Sequence, residues 1–148
     1  MSTTSVSVLL RAPRSAVYRA LTEPETIARW RFPDGMTSVV QVQEDGAFRV
    51  TLTYEAPDGQ GKTTAHSDTY RARFTRLVRD ELVVEVDTFE TTDQEFAGDM
   101  TVTVTLRDHD GGTELLAVHE GVPAGVAPED NELGWRMALA RLAALVEG

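Results

Sequence analysis

The stretch PEDNELGWRMALARLAALV, residues 128–146, decides the fold because it is the longest segment of the chain with helical spacing. At about 100° per residue, its apolar side chains fall on one broad arc. From the centre of this arc to its margins, the members are Gly134, Ala138, Leu142, Leu145, Trp135, Met137, Leu139 and Val146. We therefore predict a C-terminal helix that covers a large apolar surface.

Before this helix, apolar residues recur at every second position, which is typical of strands with one buried face. Six such runs lie near residues 40–42, 48–54, 70–74, 82–90, 100–107 and 113–120. Turn sequences occur at Glu44-Asp45-Gly46, Pro57-Asp58-Gly59 and Asp110-Gly111-Gly112. Because glycine tolerates the positive φ of tight turns, the pattern predicts a long antiparallel meander.

A further β-like run, from Ser5 to Arg11, precedes two short helices that open near Pro13 and Pro24. Proline is favoured in the first turn of a helix, where its missing N–H has no partner to lose. The resulting order, β-αα-ββββββ-α, predicts an α+β fold of the helix-grip type, with a curved antiparallel sheet wrapped around the long C-terminal helix. Residues 1–148 contain no repeat or linker, so we expect a single domain.

One helix cannot completely close a strongly curved sheet, so we expect a closed cavity between them, on the order of several hundred Å3. The predicted ligand-binding residues are Trp30, Phe48, Val50, Tyr54, Tyr70, Phe74, Met100, Val102, His119, Trp135, Ala138, Arg141 and Leu142. The alternative is that these side chains fill the gap as an ordinary core.

Two polar members of this set have specific candidate roles. His119 falls on the inner side of the last strand, where it would orient a polar ligand group or act as a general base. Arg141 lies at the margin of the helical arc and would anchor a carboxylate or hydroxyl. The alternatives are a buried, hydrogen-bonded imidazole for His119 and an arginine that extends along the helix to water for Arg141.

No catalytic residue, cofactor or metal site is predicted. The sequence contains no nucleophile elbow or dinucleotide-binding fingerprint. Asp108-His109-Asp110 carries metal-capable side chains, but adjacent residues of a strand point to opposite faces.

The charge of the chain argues against two classes of partner. Against 24 acidic residues there are 14 basic ones, which gives a formal net charge of -10. Such a field repels phosphate backbones and anionic lipids, so neither nucleic acid nor a membrane is an expected partner. The sequence has no cysteine, no apolar leader and no membrane-spanning stretch, and we expect a cytoplasmic protein.

Residues 80–106 contain eight acidic side chains and no Lys or Arg. We interpret them as a solvated sheet face and hairpin, with a site for a cation or a basic partner as the alternative. Arg71 and Arg73 should share a sheet face with Glu85 and Asp87, so the pattern predicts cross-strand ion pairs.

Short motifs at both ends of the chain carry a resemblance to a known family. At the N-terminal end they are Ala12-Pro13-Arg14, Val17-Tyr18-Arg19-Ala20-Leu21-Thr22, Pro24-Glu25 and Ala28-Arg29-Trp30. At the C-terminal end they are Gly112-Thr113, His119-Glu120-Gly121, Asn131-Glu132-Leu133-Gly134-Trp135-Arg136-Met137 and Leu142-Ala143-Ala144-Leu145. In order and spacing they resemble the heat-shock-protein ATPase activator-like family (C-terminal domain) of the START-like, or SRPBCC, helix-grip superfamily. Where many relatives continue with a second Trp, this sequence has Arg31.

The resemblance implies the helix-grip fold and a range of functions, because the superfamily includes lipid and hormone carriers, polyketide cyclases and a co-chaperone domain. The leading hypothesis is binding of a small hydrophobic or aromatic molecule between the sheet and the C-terminal helix. One alternative is an enzyme of the polyketide cyclase or hydrolase type, in which His119 or a tyrosine moves a proton. Another is a co-chaperone or interaction domain with a protein partner or a second copy of the chain.

Overall fold

The computed structural model describes residues 2–32, 36–42, 47–54, 67–91, 94 and 97–147, without the side chains of residues 36–42, 52–54, 67 and 68. The predicted turns at 44–46 and 57–59 and the side chain of Tyr54 lie outside the described residues.

Among the described residues, seven strands and three helices follow one another in the predicted order. They are β1 (Ser2–Leu10), α1 (Arg14–Thr22), α2 (Pro24–Trp30), β2 (Met36–Val42), β3 (Phe48–Tyr54), β4 (Ser67–Val78), β5 (Leu82–Phe89), β6 (Asp99–His109), β7 (Gly112–Val122) and α3 (Pro128–Glu147). Within the described residues the strands form one antiparallel sheet in the order β1-β7-β6-β5-β4-β3-β2. The α+β helix-grip prediction is confirmed.

The core lies between the inner face of the sheet and the helices. A main cluster joins α1 and α3 to β1, β5, β6 and β7, and a smaller cluster contains Ile27, Phe48, Val50, Tyr70 and Ala72. Three residues of the predicted helical arc, Ala138, Leu139 and Leu142, are buried. Each large aliphatic side chain buried in this way stabilises the fold by about 1.5–3 kcal/mol. Other members of the arc, such as Gly134 and Met137, remain exposed.

The end of α2 is fixed from two sides. The indole Nε1 of Trp30 donates a hydrogen bond of 2.9 Å to the carbonyl oxygen of Ala20 in α1. The backbone carbonyl of Trp30 accepts a hydrogen bond of 2.9 Å from Nε of Arg141 in α3. Because Trp30 is held by both helices, the residue that follows it, Arg31, is directed toward the inner face of the sheet.

Glycines make the β6–β7 hairpin and its contact with β1 possible. Asp110 and Gly111 have φ angles of 45° and 81°, as a two-residue hairpin turn requires. Gly112 then passes so close to β1 that a Cβ at this position would clash with the carbonyl oxygen of Leu10. This hairpin was predicted from the sequence and is confirmed.

Replacing Gly112 with Ala should lower the free energy of unfolding by about 2 kcal/mol, because either β1 or the hairpin must move to admit the methyl group. Gly111→Ala is the control: its Cβ meets no atom within 4 Å, and only the cost of a positive φ, about 1 kcal/mol, remains. Urea unfolding of the two variants measures both effects. Equal losses would contradict the steric role of Gly112.

Candidate functional site

A cavity of about 300 Å3 lies between the sheet and α3. Its wall is formed by β4, β5 and β6, the segment before α3, the end of α2, and α3 itself. The lining residues are Arg31, Phe32, Tyr70, Asp87, Phe89, Met100, Pro123, Val126, Asp130, Asn131, Gly134, Trp135, Met137, Ala138 and Arg141. Asp130, Gly134 and Met137 at its border are exposed to solvent. The cavity is therefore open on the α3 side, whereas the sequence predicted a closed one.

A buried ion cluster of Arg31, Glu85 and Asp87 forms one side of this site. The guanidinium of Arg31 donates two hydrogen bonds to the Glu85 carboxylate, 2.8 Å from Nη1 to Oε1 and 2.5 Å from Nη2 to Oε2. Its Nη2 also lies 3.2 Å from Oδ2 of Asp87. All three side chains are at least nine-tenths buried. Such planar, two-pronged pairing is the geometry that favours arginine over lysine.

The predicted pairing of Arg71 and Arg73 with these carboxylates is wrong. In the β4–β5 register, Glu85 lies opposite Phe74 and Asp87 opposite Ala72, so both acids are on the inner face. Arg71 and Arg73 are exposed on the other face. The sequence analysis assigned the two acids to the wrong face of β5, an error of one position in the alternation along the strand. The interpretation of Glu85 and Asp87 as part of a solvated face is corrected for the same reason.

The three charges of the cluster shift one another's pKa values. Burial alone lowers the pKa of Arg31, but the charge and hydrogen bonds of Glu85 outweigh it and hold this pKa well above its ordinary value. Burial raises the pKa of Glu85, and Arg31 reverses this effect, so the net shift is downward. Burial, the neighbouring Glu85 charge and a hydrogen bond with the Glu85 carboxylate raise the pKa of Asp87 well above its ordinary value. The arrangement favours one ionised carboxylate, on Glu85, and a protonated Asp87.

Trp135 of α3 joins this cluster to the cavity wall. Its ring lies 4.9 Å from the guanidinium carbon of Arg31, within cation–π distance, and meets Trp30 edge-on with ring centroids 6.1 Å apart. On another side it packs against the imidazole of His119, with centroids 4.5 Å apart. Trp135 therefore contacts the cavity, the ion cluster and the buried histidine.

His119 belongs to a hydrogen-bonded chain that ties β1 and β7 to the start of α3. Asn131 Nδ2 donates 2.8 Å to the Thr4 hydroxyl oxygen, and this hydroxyl lies 3.4 Å from His119 Nδ1. The Thr4 hydroxyl can accept from Asn131 and still donate its own hydrogen to Nδ1, whereas Nε2 of His119 is buried and has no hydrogen-bond partner within the described residues. Burial, with the Arg31 charge, lowers the pKa of His119 to about 4. The imidazole is therefore neutral at ordinary pH.

The predicted site residues separate into two groups. Tyr70, Met100, Trp135, Ala138 and Arg141 line the cavity. The others that the structure describes lie in the core beside it: Trp30, Phe48, Val50, Phe74, Val102, His119 and Leu142. Arg141 borders the cavity, and its Nε donates to the Trp30 carbonyl, a contact that neither of its predicted roles included.

Sequence reasoning missed Arg31 and Asp87, the two charged lining residues that belong to the buried cluster. The signal was present in β5, where Val83, Glu85 and Asp87 are buried while Leu82, Val84 and Val86 are only partly so. A strand that turns its acids inward needs a cation, and Arg31 stands where the resemblance noted in the sequence leads one to expect a second Trp. Neither the inward-facing acids of β5 nor the arginine at position 31 indicates the ion cluster by itself, but the two together do.

The chain was compared with known protein families and solved structures. The model of the family described as Activator of Hsp90 ATPase homolog 1-like protein matches residues 11–147. The chain belongs to this family. A comparison with curated protein sequences finds no significant match.

Solved structures similar to this member of the Activator of Hsp90 ATPase homolog 1-like family support the same fold. Protein CV1439 from Chromobacterium violaceum is 32% identical, with 99% of this chain and 97% of that chain covered and a TM-score of 0.85. Protein MLL2253 from Mesorhizobium loti is 19% identical, with coverage of 99% and 97% and a TM-score of 0.73. DynU16, described as a protein of the dynemicin biosynthetic locus, is 20% identical, and the match covers 99% of this chain but 48% of that one, with a TM-score of 0.66.

The family and the fold together indicate, in general terms, a ligand-binding helix-grip domain. Among the helices that the structure describes, none is long and apolar enough to cross a membrane. In the described part of the chain, no group of three or more His, Asp or Glu side chains is arranged to hold a metal ion.

Removal of the Arg31 charge should be costly, because it leaves a buried carboxylate without a partner. We expect Arg31→Met to lower the free energy of unfolding by about 3 kcal/mol or more, and the triple variant Arg31→Met, Glu85→Leu, Asp87→Leu to recover most of the loss. Arg14→Met is the control: it removes an ion pair with the exposed Asp108 and a hydrogen bond to the carbonyl oxygen of Asp80, and should cost about 1–2 kcal/mol. Denaturant unfolding measures all three, and a small loss for Arg31→Met would contradict the account.

The depressed pKa of His119 should make the protein less stable in mild acid. Between pH 6.5 and about 4 the unfolded chain binds a proton that the folded imidazole does not, so the free energy of unfolding falls as the pH falls. The full effect is about 3 kcal/mol. The free energy of unfolding is measured against pH for the wild type and for His119→Leu. The difference between the two curves isolates the effect of His119 from the effects of the carboxylates. His109→Leu, at an exposed position, should keep the wild-type slope; a His119→Leu curve parallel to the wild type would refute the assignment.

Proposed function

We propose that the chain binds a small, largely apolar molecule in the cavity between the sheet and α3. The observation that carries the proposal is the cavity itself, whose volume of about 300 Å3 lies at the lower end of the range of small-molecule sites. Its lining combines aromatic and aliphatic side chains with a few polar groups, which is the composition that such sites share.

The lining favours a ligand with a flat, apolar body. Tyr70 and Phe89 meet edge-on on the sheet side, with ring centroids 6.0 Å apart. Trp135 and Met100 lie on other parts of the wall. Aromatic rings contribute large contact areas and have few torsions to restrict on binding, so they suit the recognition of ring compounds.

The proposal is ligand binding, and His119, one of the two groups considered for proton transfer, is poorly placed for that role. His119 is fully buried, with its Nδ1 beside Thr4 and its ring against Trp135. A general base must reach the proton that it removes, directly or through one water. Within the described residues, His119 is not part of the cavity lining.

A larger side chain at Gly134 should block the cavity without disturbing the fold. Gly134 lines the cavity, and a Cβ at this position meets no atom within 4 Å. Gly134→Leu should weaken binding of the neutral fluorophore N-phenyl-1-naphthylamine by about tenfold or more. It should also raise the free energy of unfolding by about 0.5–1 kcal/mol, because glycine is unfavourable within a helix.

Ala140→Leu provides the matched control, since Ala140 is exposed on α3 and is not one of the lining residues. Its fluorophore affinity should equal that of the wild type. Fluorescence titration measures binding and thermal melting measures stability. No fluorophore binding to the wild type, or equal binding to Gly134→Leu, would overturn the proposal.

A further inference from the structure

Arg141 brings a positive charge to the cavity wall, and its terminal nitrogens have no partner among the residues that the structure describes. The side chain is half-buried and lines the cavity from α3. Its Nε donates a hydrogen bond of 2.9 Å to the Trp30 carbonyl. Within the same described residues, Nη1 and Nη2 make no hydrogen bond and no ion pair. A guanidinium whose Nε is engaged keeps the N–H groups of both terminal nitrogens for solvent or a ligand.

The bond to Trp30 also restricts the orientation of these donors. An arginine side chain has many rotamers, and it loses this freedom when it binds a ligand. In Arg141 the Nε contact removes part of the freedom before any ligand arrives. The edge formed by Nη1 and Nη2 then presents two N–H groups side by side, which is the arrangement that matches the two oxygens of a carboxylate.

The α3 border of the cavity changes in charge along its length. Asp130 and Arg141 both line the cavity and are about three helical turns apart, or about 16 Å, so they lie on the same side of α3. Gly134, Met137 and Ala138 line the cavity between them. A ligand carboxylate beside Asp130 meets a like charge, whereas beside Arg141 it meets an opposite one.

Arg31, the other arginine of the lining, is already engaged by the protein. Both of its terminal nitrogens donate to Glu85, and Nη2 also lies 3.2 Å from Oδ2 of Asp87. A ligand carboxylate there competes with Glu85 for the same donors and lies beside two acidic side chains. Among the lining residues, Arg141 is therefore the cation with donors left for an anion.

We infer that the ligand of the cavity is a monocarboxylate with a flat apolar body, and that its carboxylate binds Nη1 and Nη2 of Arg141. This inference rests on the proposed ligand-binding function and adds the chemical class of the ligand. A carboxylate that leaves water loses its hydration, and two charge-assisted hydrogen bonds compensate for that loss. Arg141 thus selects the acid over a neutral or cationic compound with the same ring.

Three compounds with one naphthyl ring test the inference: 1-naphthylacetate, 1-naphthylacetamide and 2-(1-naphthyl)ethylamine. At pH 7 they are an anion, a neutral molecule and a cation of similar size. Their dissociation constants are measured by displacement of N-phenyl-1-naphthylamine from the wild-type protein at about 0.15 M salt, where the field of distant charges is largely screened. We expect the acetate to bind about tenfold more tightly than the acetamide, and the amine to bind most weakly.

Substitutions on α3 assign this preference to a residue. Arg141→Met should reduce the ratio of acetate to acetamide affinity about tenfold, while the acetamide and the fluorophore keep their affinities within about twofold. Arg141→Lys keeps the charge without the two-pronged geometry and should give an intermediate ratio. Arg136→Met is the matched control: it removes the same charge from an exposed position outside the lining and should leave the ratio unchanged.

Thermal melting shows whether each variant is folded, and Arg141→Lys keeps the test valid where Arg141→Met fails to fold. If the fluorophore and the acetamide bind but the acetate has no advantage, ligand binding stands and the carboxylate assignment falls, with Arg141 acting only as a partner of the Trp30 carbonyl. A preference for the amine overturns the inference too. So does an acetate preference that persists in Arg141→Met or that Arg136→Met reduces equally. If neither the fluorophore nor any of the three compounds binds, the proposed function falls as well.

Discussion

The pairing of Arg31 with Glu85 is the interaction on which the rest of the site depends. It brings a full positive charge and a full negative charge into the interior, each with less than a tenth of its side chain exposed. Desolvation of two such ions costs several kcal/mol apiece, and only close, two-pronged geometry compensates for it. The helices provide that geometry, because Trp30 is bonded to Ala20 of α1 and to Arg141 of α3 immediately before Arg31.

The same ion pair determines the chemistry of the groups around it. It holds Glu85 ionised, and this negative charge in turn favours the proton on Asp87. Its positive charge also helps to keep the His119 imidazole neutral behind Trp135. The pKa values of two neighbouring carboxyl groups on one strand thus shift in opposite directions although their side-chain chemistry is alike, since only Glu85 receives two hydrogen bonds from Arg31.

The fold was predictable from sequence because its signals are local. The helical arc of residues 128–146, the alternating strands and the Asp110-Gly111 turn each follow from the neighbours of a residue along the chain. The polar part of the site was not predictable in this way. In a typical half-buried strand, apolar side chains face the core and polar ones face outward, but in β5 Glu85 and Asp87 face inward. Whether they do so depends on Arg31, more than fifty residues earlier in the chain. Tyr70, Met100, Trp135, Ala138 and Arg141 were found because cavity walls and cores share the same apolar pattern.

An arginine at position 31 changes what the inner face of a helix-grip fold can offer. A tryptophan there would extend the apolar wall, and the two β5 acids would then be buried without a cation, at a cost that the fold does not sustain. Arg31, Glu85 and Asp87 therefore have to be considered as one unit, since each is unfavourable in the absence of the others. The result is a cavity whose open border on α3 includes Met137, Gly134 and Asp130, and whose sheet side includes Asp87 next to Met100.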